Sequence, residues 1–398
     1  MKYLIVGAGL SGCVAAMKLH DLDNQAQIDI VERRAHIGGN CFSEERDGIA
    51  VHLYGPHIFH TDNKKLWDWF TKRCPLVPYS HQVKAQAPNL KIYSLPFSLQ
   101  TAYEMFDTRT FQQFEEIKQH EIDTWKEDHK LNVENVEGFA ISRLGTTMYR
   151  NLIRGYTEKQ WGCDPARLPA SIVGRLPIRN TYDVGYYAHR YVGIPKDEKG
   201  YMPFFEKVRK VARVFVDYED WRQFVETGKY DAIIYTGAVD EYFDYKYGKI
   251  EYRTSTWEYE DRSVDETTGM AVLNYPDRNV MYTRRIEYRY LQGECNSDRT
   301  YVAYEFSEPY KDQKAGPMYV VPTEENMRRV QKYSVASQDE EFCGAPVLFL
   351  GRLAQSKYLD MNTTIENAFE KVPELFAEVL SRKVAETLSR KVGPLEIL

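Results

Sequence analysis

The sequence predicts an α/β fold, a Rossmann-like cofactor domain interrupted by an inserted helical domain and an antiparallel β-sheet domain. Three observations predict it. An apolar strand, Tyr3-Leu4-Ile5-Val6, runs into a glycine turn and a helix. The middle of the chain holds a helix-patterned block followed by a tyrosine-rich block of alternating residues. Buried-strand patterns then return at Ala232-Ile233-Ile234-Tyr235 and Val347-Leu348-Phe349-Leu350. One discontinuous domain carrying two insertions accounts for that order better than domains in series.

Taken in order, residues 3–32 read as strand, glycine turn, helix and a second strand, Ile28-Asp29-Ile30-Val31-Glu32. Residues 99–160 are helical by their apolar spacings of three and four. Residues 177–204 are rich in Tyr, Gly and Pro and read as extended segments and loops. Residues 250–320 alternate, with many Tyr and Thr, as antiparallel strands do. A helical tail runs from Asn362, and in it Leu380-Ser381-Arg382-Lys383-Val384 recurs as Leu388-Ser389-Arg390-Lys391-Val392. The expected cofactor domain is 1–75, 200–245 and 335–398. The helical domain is 99–172, and the sheet domain is 76–98, 173–199 and 246–334.

The 398 residues suffice for two or three domains. The 30 tyrosines against 18 phenylalanines suggest surfaces that pack and hydrogen-bond together, as carbohydrate sites do. A net charge of −6, from 52 basic and 58 acidic side chains, gives no general attraction to nucleic acid or an anionic membrane. A phosphate ligand must therefore be gripped by local arginines. Six scattered cysteines with no C-x-x-C pair read as reduced thiols. No signal-peptide pattern and no membrane-length apolar run is present, so the expectation is a soluble, cytoplasmic protein.

Gly7-x-Gly9-x-x-Gly12 lies between strand and helix, where it forms a dinucleotide cradle. Gly7 permits the turn, Gly9 lets amides approach a pyrophosphate, and Gly12 lets the helix pack on the strand. Glu32, twenty residues on, is placed to accept from ribose hydroxyls. Gly38-Gly39-Asn40, Thr236-Gly237 and Gly351-Arg352 resemble the further contact points of FAD proteins, which favours FAD over NAD.

Longer stretches carry a more specific resemblance. They are His52-Leu53-Tyr54-Gly55-Pro56-His57-Ile58-Phe59-His60-Thr61, Gly155-Tyr156-Thr157-Glu158-Lys159-Gln160-Trp161-Gly162 and Arg175-Leu176-Pro177-Ile178-Arg179. Asp244-Tyr245-Lys246-Tyr247-Gly248, Gly351-Arg352-Leu353 and Tyr358-Leu359-Asp360-Met361 complete the set. Through them the chain resembles the bacterial UDP-galactopyranose mutase family from Met1 to about Phe369. The resemblance implies a flavin-dependent isomerase that interconverts UDP-galactopyranose and UDP-galactofuranose, a precursor of cell-surface polysaccharide. Its chemistry is attack of reduced FAD N5 on the anomeric carbon, ring opening through a sugar–flavin iminium, reclosure and recapture by the diphosphate. Arg175 and Arg284 match the arginines of the substrate diphosphate, and Arg175 lies on a loop that is mobile in the family. Tyr156 and Trp161 match positions near the nucleoside. Tyr186, Tyr319 and Tyr358 match tyrosines around diphosphate and sugar. Asp360 matches an acid near sugar and flavin, and it also stands where a helix N-cap would. His57 and His60 match the segment against the flavin, with His60 the better candidate for tuning it. Ser11, Arg33, Gly39, Asn40, Gly237, Arg352 and Met361 complete the implied cofactor contacts. The resemblance also implies a homodimer and an external reductant such as NAD(P)H. No metal is expected, because His52, His57 and His60 fit no ligand spacing.

The departures gather in the donor lining. Members often have two phenylalanines where this chain has Leu152 and Ile153, and asparagine then arginine where it has His81 and Gln82. Tyrosines are replaced by Met318 and Ser356. The chemistry is expected to persist while the donor stays open, with UDP-N-acetylgalactosamine and dTDP-fucose as alternatives to UDP-galactose. An FAD oxidoreductase of the amine-oxidase type and a flavin-bearing binding protein are the competing classes. An amine substrate would have no use for the Arg175–Arg284 pair.

Overall fold

The computed structural model describes residues 1–391, so Val392, the last residue of the repeated tail segment, lies outside the described residues. The chain forms two compact units: Met1–Phe42, Met202–Lys249 and Val330 onward in the first, and Ser43–Tyr201 with Ile250–Arg329 in the second.

The first unit is built on a six-stranded sheet. Strands Arg213–Phe215, Gln27–Val31, Lys2–Val6, Ala232–Tyr235 and Ala345–Phe349 run parallel in that spatial order, and Glu341–Phe342 adds an antiparallel edge. Tyr3, Leu4, Ile5 and Ile233 are fully buried, as a parallel sheet covered on both faces demands. Helix Leu10–Leu22 buries nine of its residues and packs on the long helix Met361–Lys391. Asp29, almost wholly buried, is bound at both oxygens by Arg213 (2.7 and 2.8 Å) and by the Tyr230 hydroxyl (2.8 Å), so its charge is compensated.

The second unit combines helices with a seven-stranded, mostly antiparallel sheet. The spatial order is Tyr319–Val320, Tyr252–Ser263, Arg299–Pro309, Arg284–Glu287, Val272–Asn274, Val83–Gln86 and Ile92–Leu95. Helices Leu99–Phe106, Phe111–Asp128 and Val136–Met148 precede a π-helical turn, Tyr149–Arg154, and helix Gly155–Trp161. Thr110 and Gln113 form a reciprocal capping box at the start of the second helix. The expected helical and sheet domains therefore share one unit and one core, in which Ala140, Ile141 and Tyr149 join Ile286 and Tyr288.

The sequence reading carried the cofactor domain to residue 75, whereas residues 43–75 cluster with the second unit. The cause is the hairpin Ser43–Arg46 and Ile49–His52. The Tyr288 hydroxyl donates to the His52 carbonyl at 2.6 Å, and Gln292 accepts from the Ala50 N–H at 2.6 Å. No helix among the described residues is long and apolar enough to cross a membrane.

Candidate active site

In the first unit the glycine positions meet one another. Gly7 has φ +104°, and a Cβ there would fall on Thr236 Oγ1, which donates to the Val6 carbonyl at 2.7 Å. A Cβ on Gly39 would stand 2.7 Å from Gly9 Cα, and the Gly38 N–H donates to the Ala8 carbonyl at 2.8 Å. Gly351 (φ +94°) closes on Ser11, where a Cβ would reach the side chain. Gly9 caps helix Leu10–Leu22 without a side-chain bond, and no acid stands in its first turn. Its orphan N–H groups and positive dipole end therefore suit a pyrophosphate. Glu32 is 7 % exposed and accepts from the Ala8 N–H (2.7 Å) and the Arg34 N–H (2.9 Å), which fixes the carboxylate at the strand end. Asn40 accepts both terminal nitrogens of Arg34 at 3.1 Å, and Arg33 pairs with Glu241 at 3.1 Å. Gly237 sits against the Tyr235 hydroxyl. Arg352 donates to the Leu359 carbonyl at 2.7 Å beneath the Tyr358 ring. The Asp360 carbonyl accepts from Thr364 N–H at 2.9 Å, at the start of the helix that Met361 opens. These residues fit a dinucleotide: they leave backbone donors where side chains would intrude. Gly39→Ala should cost about 1–3 kcal/mol of stability through its positive φ and the Gly9 approach. Flavin absorbance per mole of purified protein is the check, and it should fall at least fivefold.

In the second unit five expected donor residues, Tyr156, Trp161, Tyr186, Arg284 and Tyr319, lie together. Register places Trp257 opposite Glu305 and Glu305 opposite Arg284, a row across three strands. The Arg284 Nε pairs with Glu305, whose other oxygen accepts from Ser255 Oγ at 2.8 Å. Burial disfavours the Arg284 charge, but the Glu305 carboxylate outweighs it, so the guanidinium's pKa is raised and it stays a fixed cation. Tyr156 stands in the field of Arg284, Glu305, Tyr186 and Tyr319, and burial keeps its phenol protonated. Trp161 meets Tyr319 edge-on at 6.2 Å. Glu305 was missed in the sequence reading, because only strand register reveals it.

Helix Gly155–Trp161, which carries Tyr156 and Trp161, is fixed at both ends. Arg253 donates to the Gln160 and Lys159 carbonyls (3.0 and 2.9 Å), the last-turn groups that lack helical partners. Lys159, also missed, points its ammonium at four carbonyls of the loop leading to Arg284. These are Tyr275 (2.5 Å), Asp277 (2.9 Å), Val280 (2.8 Å) and Tyr282 (2.8 Å). Gly155 lets the helix approach, since a Cβ there would fall on the Pro276 carbonyl. Lys159→Met should lose about 3 kcal/mol, roughly two charge-assisted bonds. Urea denaturation measures that loss, and faster tryptic cleavage at Arg278 should accompany it.

His60, 6 % exposed, stacks on Tyr187 at 4.1 Å and lies 4.5 Å from the His189 ring. His57 shares its Nδ1 with the Gly55 carbonyl at 2.9 Å and gives its N–H to His52 Nδ1 at 3.1 Å. Arg175 is exposed, and its Nε donates to the Ile172 carbonyl at 3.2 Å. Tyr358 and Asp360 belong to the first unit and Arg175, Arg284, Tyr186 and Tyr319 to the second. None of the six cysteines is in a disulfide, and burial pushes the Cys41 thiol up to about 12.

A family model described as UDP-galactopyranose mutase matches residues 151–358, and one described as an NAD(P)-binding Rossmann-like domain matches residues 5–73. The dTDP-fucopyranose mutase of Escherichia coli is 34% identical over 93% of this chain and 97% of its own length. The chain belongs to the UDP-galactopyranose mutase family. The probable UDP-galactopyranose mutase of Klebsiella pneumoniae is 32% identical over 96% of both chains. A crystal structure of reduced UDP-galactopyranose mutase shares the fold, with a TM-score of 0.69 at 14% identity and 94% of each chain covered. As a member of the UDP-galactopyranose mutase family the chain is an isomerase, and FAD is the cofactor of its Rossmann-like domain.

Proposed function

We propose that this chain interconverts the pyranose and furanose forms of a nucleoside-diphosphate sugar, with UDP-galactose as the first donor. The observation that carries the reading is Arg284. It is a partly buried cation whose Nε is occupied by Glu305, with Tyr156 and Tyr319 beside it. Bound FAD, once reduced, supplies the nucleophile toward the anomeric carbon with no net redox change. The chain's residues do the rest. Gly7, Gly9, Gly12, Gly39 and the helix N-terminus hold the cofactor's pyrophosphate, and Glu32 takes its ribose. Arg284 holds the donor's diphosphate before and after departure, so the leaving group stays for recapture. Arg175 adds a second cation from its exposed position. Tyr156 and Trp161 offer aromatic faces to the base, and Tyr186 and Tyr319 offer hydroxyls to the diphosphate. Holding donor and nucleophile together lowers the barrier by about 7–11 kcal/mol when the geometry is good. The reductant is external, of the NAD(P)H type, and the working form is a cytoplasmic homodimer.

A dTDP-fucose donor is the second reading. It is favoured by the 34% identity to the dTDP-fucopyranose mutase of Escherichia coli. The test is anaerobic incubation of dithionite-reduced protein with UDP-galactofuranose and dTDP-fucofuranose, followed by chromatography. Conversion of either to the pyranose is expected. Absence of conversion with reduced FAD bound, or stoichiometric oxygen consumption with an amine, would overturn the reading.

A further inference from the structure

Lys159 does more than hold a loop folded. Its side chain is partly exposed, yet the ammonium spends its three N–H groups on four backbone carbonyls at 2.5–2.9 Å. Burial pulls its pKa down to about 8, with Asp277 opposing, so the group is charged at neutral pH. The four acceptors, Tyr275, Asp277, Val280 and Tyr282, all lie in the loop between strands Val272–Asn274 and Arg284–Glu287.

That loop runs straight into the diphosphate arginine. Its last residue, Thr283, is fully buried, and its N–H and Oγ1 both donate to the Glu305 carbonyl, at 2.7 and 3.0 Å. The Thr283 carbonyl takes the Tyr275 N–H at 2.8 Å, which closes the loop on itself. The next residue is Arg284, whose Nε pairs with the Glu305 carboxylate. Lys159 itself stands on helix Gly155–Trp161, one turn after Tyr156 and two residues before Trp161. One ammonium therefore ties the helix of the two aromatic residues to the loop that aims the cation. Another tie between the same helix and loop, Glu158 to Arg278, lies at the surface, where ion pairs contribute little.

We propose that Lys159 is a positioning residue for the reaction: it sets the distance between the aromatic helix and Arg284, and so the place of the diphosphate as it leaves and returns. This rests on the mutase reading above. A donor gripped at its base and at its diphosphate needs the two grips at a fixed separation. A shift of about 1 Å in such a group can cost about 10²-fold in rate. A cage of carbonyls suits the task because it accepts a cation with N–H groups and little else. An apolar side chain there leaves four acceptors facing it without a donor.

The experiment uses the full-length FAD-loaded protein, reduced and anaerobic, as wild type, Lys159→Ala, Lys159→Met and Arg284→Ala. Turnover of UDP-galactofuranose and dTDP-fucofuranose is measured per bound flavin, below the melting temperature of each variant. The buffer holds tetramethylammonium or n-propylammonium chloride at equal ionic strength. n-Propylammonium is the part of the side chain that Lys159→Ala removes, and tetramethylammonium carries the charge without an N–H. In tetramethylammonium both Lys159 variants should lose about tenfold or more in kcat, with flavin content unchanged. n-Propylammonium should restore Lys159→Ala at least fivefold. It should leave wild type and Lys159→Met, whose side chain fills the channel, within twofold. Full turnover per flavin in both Lys159 variants would overturn the assignment and reduce the residue to a stabilising role. A loss in Lys159→Ala that n-propylammonium does not repair, or repairs equally in Lys159→Met, would also overturn it. If Lys159→Ala does not fold, turnover per flavin in Lys159→Met decides. Turnover lost in Arg284→Ala but kept in both Lys159 variants sinks only the role of Lys159. A wild type that converts neither furanose sinks the mutase reading and this one together.

Discussion

Reduced protein carrying Arg284→Ala should turn over its donor about 10²-fold to 10⁴-fold more slowly than wild type. Two charge-assisted phosphate bonds at about 1.5–3 kcal/mol each set that range. The substitution also strands Glu305, 2 % exposed and otherwise bound, among the described residues, only by Ser255, so about 3–5 kcal/mol of stability should go with it. Two further variants separate the effects. Arg284→Lys restores a cation against Glu305 without the planar fork, so stability should recover more than turnover. Glu305→Gln keeps the fork but loosens its aim, and should lower kcat by about tenfold with flavin content unchanged. Rapid-quench turnover together with urea unfolding checks all three. Full turnover in Arg284→Ala would remove the residue from the chemistry.

Acid should unfold this protein steeply below pH 6.5, and two buried histidines are the cause. Burial pulls His52 down to about 3, with His57 adding to it, and burial pulls His81 down to about 3, with Arg284 and His60 adding. Above the ordinary pKa near 6.5 both are neutral in either state and cost nothing. As pH falls from 6.5 toward 3, the unfolded chain binds protons that the folded chain refuses, so stability falls. At pH 5 the loss is about 2 kcal/mol per histidine. Urea midpoints measured between pH 8 and 5 test this. His52→Asn should remove about half of the extra slope, and an unchanged slope in that variant would contradict the assignment.

The cradle was legible because a missing Cβ is a local fact. Gly7, Gly9, Gly12 and Gly39 declare themselves by spacing, and Gly7, Gly12 and Gly39 each meet a backbone or hydroxyl that a side chain would strike. Tyr156 and Trp161 were legible as a motif on one helix. Glu305 was not, since nothing within a few residues of Arg284 names it and only cross-strand register pairs the two. Lys159 stood inside the quoted motif without a role, because its partners are backbone carbonyls, which look alike in every residue. That the contact unit breaks after Phe42, short of residue 75, has a related reason. The polar hairpin after Phe42 has a weak pattern of its own and takes its place from Tyr288 and Gln292, more than 200 residues away.

The central position of Lys2–Val6 bears on how the chain is made. Its neighbour on one side is Gln27–Val31, and on the other Ala232–Tyr235. Residues 32–231 must leave the ribosome before that second edge has a partner, about 10–40 s at ordinary elongation rates. For that interval an apolar strand presents bare amides and carbonyls, a template for any other nascent strand. The second unit's long segment emerges meanwhile and supplies none of the missing pairs. Yield in the cell should therefore depend on how the half-finished sheet is shielded, and agents that slow elongation through the middle of the message should increase aggregation of this chain.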